Sequence, residues 1–155
     1  MDNKPMHTSW TRQHFALNGF DPSQYQIIRG LAFRGDPLQP MGKDVYHLNQ
    51  ILKDVDHVDL LDIDVQGAEK YILRSKLDID ALQQKVMRVH IEAHSVPTGT
   101  ILTSMLMKHG FRILRNATSH MSWMYHAPHI GEVMFRSGYI AASNTRFENT
   151  MGGKC

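Results

Sequence analysis

The chain has 155 residues, 42% apolar and 21% charged, which suits a single globular domain with a hydrophobic core. The net charge of +2 comes without a basic cluster, so no nucleic-acid or anionic-membrane surface is indicated, and no apolar run approaches the ~20 residues of a membrane helix. The one cysteine, Cys155, excludes an intramolecular disulfide, and we expect a cytoplasmic protein.

The first third of the chain predicts a helix, a strand and a second helix. Residues 1–9 are expected to be a flexible lead-in, and Trp10–Asn18 predicts a helix because apolar residues recur at helical spacing before an Asn-Gly stop. Apolar residues in Tyr25–Phe33 predict a strand, which a loop rich in Gly and Pro follows. Asp44 is suited to cap a helix that runs to Lys53.

The rest of the chain continues this alternation. The predicted elements are, in order, a strand at Val58–Val65, helical segments at Gly67–Arg74 and Asp80–Lys85, a strand at Val86–Ala93, a helix at Gly99–His109, a strand at Phe111–Asn116, a loop at Ala117–Ile130 and a strand at Gly131–Ala142. Residues 10–143 are therefore one predicted domain, and residues 144–155 a flexible tail.

Alternating strands and helices predict an α/β fold with a mostly parallel sheet. Because no helix separates the last two strands, we expect an antiparallel C-terminal strand at one edge. Parallel strands that are covered on both faces should be nearly all apolar, yet Val58–Val65 contains Asp59, Asp62 and Asp64. Such a departure in a central strand points towards a functional site.

The acidic residues at the end of this strand form the first candidate site. Asp62 and Asp64 share a face because side chains alternate along a strand, and Asp64 lies at the C-terminal end, where open α/β sheets bind ligands. Gly67 allows a tight turn into the next helix, and Glu69 is favoured in the first helical turn by the helix dipole. Alternatively, Asp64 only caps that helix and Glu69 is only a helix-start acid.

A second candidate group, Glu92, His94 and Ser95, stands at the end of the next predicted strand. Parallel neighbouring strands would place Glu92 and His94 beside Asp64. His94 could then act as a base in catalysis. The structural alternative is that His94 only forms a hydrogen bond with a loop carbonyl.

The sequence predicts no metal site. His120, His126 and His129 lie in one predicted loop, but their spacing matches no zinc pattern and no cysteine is near. That loop also carries Met and Trp residues and is expected to be a flexible apolar lid or a contact surface. A magnesium site made of the carboxylates of Asp62, Asp64 and Glu92 is an alternative.

Three segments, VDLLDIDVQGAEKYIL, VHIEAHS and LTSMLMKHGF, carry a resemblance to a known family. They are similar to the C-terminal part of FkbM-type S-adenosylmethionine-dependent methyltransferases, where one strand ends in Asp-Val-Glu/Gln-Gly-Ala-Glu, the next ends in Glu or His, and a helix closes on Gly-Phe. The segments RQHFALNGF and RGLAF extend the resemblance over Arg12–Phe135. The matching residues are Asp64, Gln66, Gly67 and Glu69, then Glu92 and His94, then Gly110 and Phe111.

The resemblance implies a partial Rossmann-like class I methyltransferase sheet. It also implies transfer of a methyl group from S-adenosylmethionine to an oxygen of a small molecule or sugar. Asp64, Glu92 and His94 would be catalytic, with His94 as the base and Glu92 orienting it. The other implied roles are cofactor binding by Gly30, Ala32, Asp64, Gln66 and Gly67, and acceptor binding by Glu69 and Ser95.

The chain departs from the family pattern in three respects. The family's Asp-Val-Gly-Ala-Asn-x-Gly turn and Phe-Glu-Pro strand end have no counterpart, and Asp62 stands where a lysine is common. We therefore expect a truncated domain that by itself binds the cofactor weakly or not at all. Val58–Val65 would then expose an edge that pairs with a front-half subunit or a second copy, which leaves a non-catalytic interaction module as the alternative function.

Overall fold

The computed structural model describes residues 5–32, 45–65, 67–73, 75–118, 123–127, 131–135 and 138–148. Within these ranges, no helix has the length and apolar character that crossing a membrane requires. The strands are β1 Leu31–Ala32, β2 Val45–Tyr46, β3 Val58–Ile63, β4 Val86–Ala93, β5 Phe111–Asn116, β6 Trp123–Ala127, β7 Gly131–Phe135 and β8 Gly138–Asn144. The helices are α1 Pro5–Leu17, α2 Leu48–Ile51, α3 Lys76–Lys85, α4 Val96–Lys108 and α5 Thr145–Glu148, with 3-10 turns at Pro22–Gln24 and Glu69–Tyr71.

The main sheet has four strands in the order β3-β4-β8-β5. β3 and β4 are parallel, and β8 runs antiparallel to both of its neighbours. The predicted α/β fold with a mixed sheet is therefore confirmed. The antiparallel C-terminal strand, which we expected at the edge, lies one strand further in, between β4 and β5. Its residues are small or apolar and largely buried, which suits an interior strand.

One face of the sheet holds the hydrophobic core. Alternate residues of β4, such as Val89 and Ile91, are buried on this face, whereas His90 and Glu92 lie on the more exposed opposite face. The core residues from the helices and strands are Leu48, Leu52, Ile63, Ile72, Leu73, Leu82, Val86, Val89, Ile91, Leu102, Leu106, Phe111, Ile140 and Ala142. The open face is therefore the one that carries the candidate site residues of β4.

The amino-terminal elements differ from their predicted bounds. α1 begins at Pro5, so residues 5–9 are helical, because proline is well tolerated in the first turn of a helix. In the strand predicted at Tyr25–Phe33, the described residues 25–32 form only β1, and Phe33 lies outside the described residues. β1 pairs in parallel with β2 in a separate two-stranded sheet. The helix predicted from Asp44 is the short α2, for which His47 is the N-cap residue.

Helix starts in the middle of the chain follow capping serines. The Oγ of Ser75 accepts a hydrogen bond from the backbone N–H of Asp78, so α3 begins before the predicted Asp80. Ser95 caps α4 in the same way through the N–H of Thr98, so α4 begins three residues before the predicted Gly99. In the segment Gly67–Arg74, predicted as a helix, the described residues 67–73 contain only the 3-10 turn, and Arg74 lies outside the described residues.

The C-terminal part is more β-rich than predicted. The predicted loop Ala117–Ile130 contains β6, and the predicted strand Gly131–Ala142 is divided into β7 and β8. β6 and β7 pair antiparallel with each other in a sheet of their own. The first residues of the predicted tail form α5, and residues 149–155 lie outside the described residues.

Candidate active site

The carboxyl ends of β3 and β4 bring the candidate residues together. Ile63 at the end of β3 pairs with Ile91, so Asp64 and His94 both follow strands that end at the same edge of the sheet. The Oδ1 of Asp64 lies 3.5 Å from the Nε2 of His94. The predicted meeting of the two strand ends is therefore observed.

His94 is held on its other side by Glu69. The Nδ1 of His94 lies 2.8 Å from the Oε1 of Glu69. Because a carboxylate oxygen can only accept, we assign the ring hydrogen to Nδ1, and the neutral imidazole then carries its lone pair on Nε2, facing Asp64. The resemblance assigned the orientation of His94 to Glu92, whereas the structure gives this hydrogen bond to Glu69.

Glu69 is fully buried, with 0% of its surface exposed. Its Oε1 also accepts a hydrogen bond of 2.9 Å from the backbone N–H of Gly67. Gly67 has a φ of +94°, and a Cβ built there would meet nothing within 4 Å. The turn therefore uses a left-handed glycine to aim its N–H at Glu69, and it leaves open space in front of the backbone.

The second oxygen of Glu69 is unusual. Oε2 is buried and has no hydrogen-bond partner among the described residues. A buried carboxylate oxygen normally finds a donor or a cation, because loss of hydration is otherwise uncompensated. The site therefore has unused acceptor capacity at Glu69.

Glu92 adds a further carboxyl group to the same edge. Partial burial raises the pKa of Glu92, and the negative charge of Asp64 and a hydrogen bond with that residue raise it further. The nearby His94 and His90 lower the pKa of Glu92, but they do not reverse the shift. Asp64 is thus adjacent to Glu92 on one side and to His94 on the other.

Asp62 belongs to a neighbouring pair and not to this cluster. It lies on the same face as Asp64, as the alternation of side chains predicts, but its Oδ1 contacts the Nδ1 of His90 at 2.7 Å. Both residues are exposed, and the ring of His90 lies 5.4 Å from that of Tyr139. The magnesium site considered from Asp62, Asp64 and Glu92 is therefore divided between two clusters.

The other predicted site residues lie in other elements or outside the described residues. Ser95 caps α4, and its Oγ donates a hydrogen bond to the Oγ1 of Thr98. Gly30 directly precedes β1 and Ala32 lies in it, within the separate two-stranded sheet. Gln66 lies outside the described residues. Of the three histidines of the predicted loop, His126 lies in β6, and His120 and His129 lie outside the described residues.

A cavity of about 240 Å³ lies away from these residues. It is at the opposite end of the sheet, near the start of β4 and the end of β8. Its lining residues are Met87, Arg88, Arg112, Ser143, Phe147 and Glu148. None of the candidate site residues lines this cavity, and the chemistry of the strand ends gives the better functional assignment.

The hydrogen bond between Glu69 and His94 is what the sequence reasoning missed. Glu69 was assigned to acceptor binding, and an acid in a first helical turn is usually solvated. The signal that could have found it is the glycine two residues earlier, since a left-handed Gly67 lets the carboxylate of Glu69 fold back on the turn. The resulting line of Glu69, His94 and Asp64 can take up and hold a proton.

Comparisons with known proteins give one family. The Methyltransferase FkbM domain matches residues 3–121, which is more than half of the chain. Among curated proteins, none matches the chain. A crystal structure of precorrin 8W decarboxylase from Methanobacterium thermoautotrophicum is similar to this chain, with 16% sequence identity and a TM-score of 0.47. The match covers 92% of this chain and 66% of that chain, so this chain spans less than two thirds of the length of the decarboxylase. The family match identifies the chain as a member of the FkbM methyltransferase domain family.

Proposed function

We propose that the chain is the acceptor-activating part of an S-adenosylmethionine-dependent methyltransferase, with an oxygen of a small molecule or sugar as the methyl acceptor. His94 is the base, Glu69 positions its ring, and Asp64 stabilises the charge that the ring acquires. The observation that carries the proposal is the placement of His94 between a buried carboxylate at 2.8 Å and a second carboxylate at 3.5 Å. Family membership supports methyl transfer as the reaction.

The role of His94 is to receive the proton of the acceptor hydroxyl. With Nδ1 donating to Glu69, Nε2 is the free acceptor nitrogen and is directed towards the sheet edge. As the hydroxyl oxygen gains its bond to the methyl carbon, the bond from that carbon to the sulfonium sulfur would break, and the sulfur would leave as a neutral thioether. The proton of the hydroxyl moves to Nε2, and the imidazole becomes positive. Glu69 and Asp64 flank that cation, which is the arrangement that favours its formation.

The space in front of the Gly67 turn fits a cofactor that approaches the backbone closely, because no atom would meet a Cβ there. When it is bound, S-adenosylmethionine supplies an electrophilic methyl group on a sulfonium centre. We assign its contacts to Asp64 and Gly67, and to Gln66, Gly30 and Ala32 as the family resemblance implies.

Transfer of a labelled methyl group to a panel of sugars and small alcohols tests the proposal. The assay uses millimolar cofactor, because the 155 residues lack the glycine-rich turn of the family and we expect weak cofactor binding. His94→Gln should lower turnover at least 100-fold, which is the lower range for loss of a general base. Calorimetry should give a cofactor affinity within twofold of the parent chain.

The matched control is His90→Gln, since His90 also faces a carboxylate on the open face but lies outside the cluster. It should leave turnover within twofold of the parent chain. Absence of transfer to every acceptor, or an equal loss of turnover and cofactor affinity in His94→Gln, would contradict the assignment.

A second candidate function is a non-catalytic module that pairs with a second copy through β3. Among the described residues, β3 pairs only with β4, and Leu60 on β3 is 59% exposed. An open edge with an exposed leucine favours strand addition. Asp59 and Asp62 weigh against it, because charged side chains on an edge strand oppose pairing, and we therefore rank catalysis first.

Light scattering tests the pairing module. A pairing module should show a mass that rises with concentration towards twice that of the chain, and Leu60→Lys should abolish the rise. A constant monomer mass at high concentration would remove this candidate. The result does not bear on methyl transfer, which the labelled assay measures independently.

A further inference from the structure

We propose that Asp64, Glu69 and His94 form a binding site for a divalent transition-metal ion of the Zn²⁺ type, which occupies the ring nitrogen that the proposed base uses. Each of the three side chains offers one ligand atom, and the three atoms lie within 4.8 Å of one another. Binding itself does not depend on the proposed methyl transfer. The expected inhibition of methyl transfer by the bound ion does rest on the proposed function.

The spacing of Asp64 and His94 suits a shared ion better than a hydrogen bond. Two ligand atoms at about 2.1 Å from one tetrahedral zinc ion lie about 3.4 Å apart. The observed distance between Asp64 Oδ1 and His94 Nε2 is 3.5 Å, whereas an N–H···O hydrogen bond is normally about 2.7–3.2 Å long. In the neutral tautomer that Glu69 selects, a lone pair of His94 faces a carboxylate oxygen, and a cation between them removes the repulsion.

Glu69 provides the second, independent indication. It is 0% exposed, its carboxylate contacts His94, and its Oε2 has no hydrogen-bond partner among the described residues. A cation compensates a buried carboxylate oxygen that lacks donors. Glu69 keeps its hydrogen bond to Nδ1 and orients the ring from the side opposite the ion, and water completes a four-coordinate site on the exposed side of Asp64.

The ligand types decide which ion the site prefers. An imidazole nitrogen with two carboxylates suits zinc and its first-row neighbours, whereas magnesium prefers oxygen ligands only. The two carboxylates, Asp64 and Glu69, balance the charge of a divalent ion when His94 is neutral. An ion bound at His94 excludes the proton from it, so zinc should inhibit the proposed methyl transfer.

Calorimetric titration of the EDTA-dialysed full chain with zinc chloride and, separately, magnesium chloride tests the proposal. All proteins carry Cys155→Ser, because a free thiol is itself a zinc ligand. We expect one zinc ion to bind with micromolar affinity, and magnesium to show no binding at millimolar concentration. Asp64→Asn, Glu69→Gln and His94→Gln should each weaken zinc binding at least tenfold.

The double variant Asp62→Asn/His90→Gln is the control, because it removes an aspartate–histidine pair on the same face whose 2.7 Å contact is that of a hydrogen bond. It should keep the zinc affinity within twofold. Zinc should also raise the melting temperature of the parent chain but not that of Asp64→Asn. A zinc dissociation constant above 1 mM, or an affinity loss in the control equal to that in Asp64→Asn, would overturn the proposal and would leave the methyl-transfer assay unaffected.

Discussion

Glu69 and His94 lie 25 residues apart in the chain, and the Oε1 of the first contacts the Nδ1 of the second at 2.8 Å. One residue belongs to the 3-10 turn after β3, and the other directly follows β4. The bond therefore links the ends of two parallel neighbouring strands. It also fixes which nitrogen of the ring faces the open side of the site.

Glu69→Gln is expected to lower turnover 10- to 100-fold while the melting temperature changes little. The amide oxygen can still accept from Gly67 and His94, so the turn is kept, but the negative charge that stabilises a protonated His94 is lost. Labelled methyl transfer together with thermal unfolding measures both quantities.

Glu69→Ala is the comparison variant. It removes the hydrogen bonds and leaves a cavity, and we expect a loss of stability of roughly 2–5 kcal/mol. If Glu69→Gln lost as much stability as Glu69→Ala and kept full turnover, Glu69 would be structural and not a positioning residue.

Gly99→Ala is expected to destabilise the protein, because a Cβ at this position of α4 would overlap the side chain of Thr118. The cost should be about 1–3 kcal/mol, the usual range for overpacking. In a Thr118→Gly background the overlap is gone, and the same change should stabilise by up to about 1 kcal/mol, since alanine favours a helix. Chemical denaturation of the parent, the two single variants and the double variant gives the coupling free energy between positions 99 and 118.

Gly138→Ala is the matched control for this cycle. A Cβ there would lie 2.7 Å from the backbone Cα of Thr118 and 2.9 Å from the carbonyl oxygen of Ala117. These backbone atoms persist in Thr118→Gly, so the cost of Gly138→Ala should be the same in both backgrounds. A sign change for Gly138→Ala would show that the packing between these segments is different from the one described.

Asp78→Ala is expected to cost roughly 1–3 kcal/mol of stability, because it leaves buried donors without an acceptor. Asp78 is 0% exposed and accepts hydrogen bonds from the N–H of Asn49 and the hydroxyl of Ser75, so it joins the start of α2 to the start of α3. The control, Asp80→Ala, removes only a surface pair with Lys76 and should cost about 0.5 kcal/mol or less. If urea unfolding gave the same loss of stability for Asp78→Ala and Asp80→Ala, the bridging role of Asp78 would be contradicted.

The pair of Arg112 and Glu148 should make stability depend on pH in the acid range. Hydrogen bonding to Arg112 lowers the pKa of Glu148 from its ordinary value of 4.5, against a smaller effect of desolvation. The folded state therefore binds this proton less tightly than the unfolded state, so the stabilisation is present above about pH 4.5 and is lost as the pH falls through the lowered pKa.

Glu148→Gln should thus lower the melting temperature slightly at pH 7 and leave it unchanged at strongly acidic pH. The same variant in an Arg112→Ala background should show a clearly smaller difference at pH 7, because only the hydrogen bond with Ser143 remains. A melting-temperature difference that persists unchanged through the acid range would show that Glu148 acts by something other than its charge.

Strands with clear apolar patterns and strong stops were predictable. Val86–Ala93 and Phe111–Asn116 have the bounds that the sequence indicates, because each carries a compact apolar run after a helix end. α4 begins three residues before the predicted Gly99, because Ser95 caps the helix and proline fits its first turn. The place of β8 could not be predicted, since strand order depends on distant partners.

The candidate site was also predictable only in part. The proximity of Asp64 and His94 follows from a general rule for strand ends, and the structure has it. The role of Glu69 depends on the exact turn at Gly67, where a single positive φ decides whether the carboxylate faces solvent or the histidine. Composition and periodicity contain no information on that angle.

The position of β8 between β4 and β5 has a consequence for synthesis on the ribosome. β4 and β5 run in the same direction, and β8 lies between them in the sheet. Arg88 of β4 pairs with Ser143, which emerges far later. The β3–β4 ladder can assemble as soon as its own residues leave the exit tunnel, whereas β5 must wait with an unpaired edge. A nascent chain is therefore most exposed to wrong pairing in the interval between the release of Asn116 and that of Asn144.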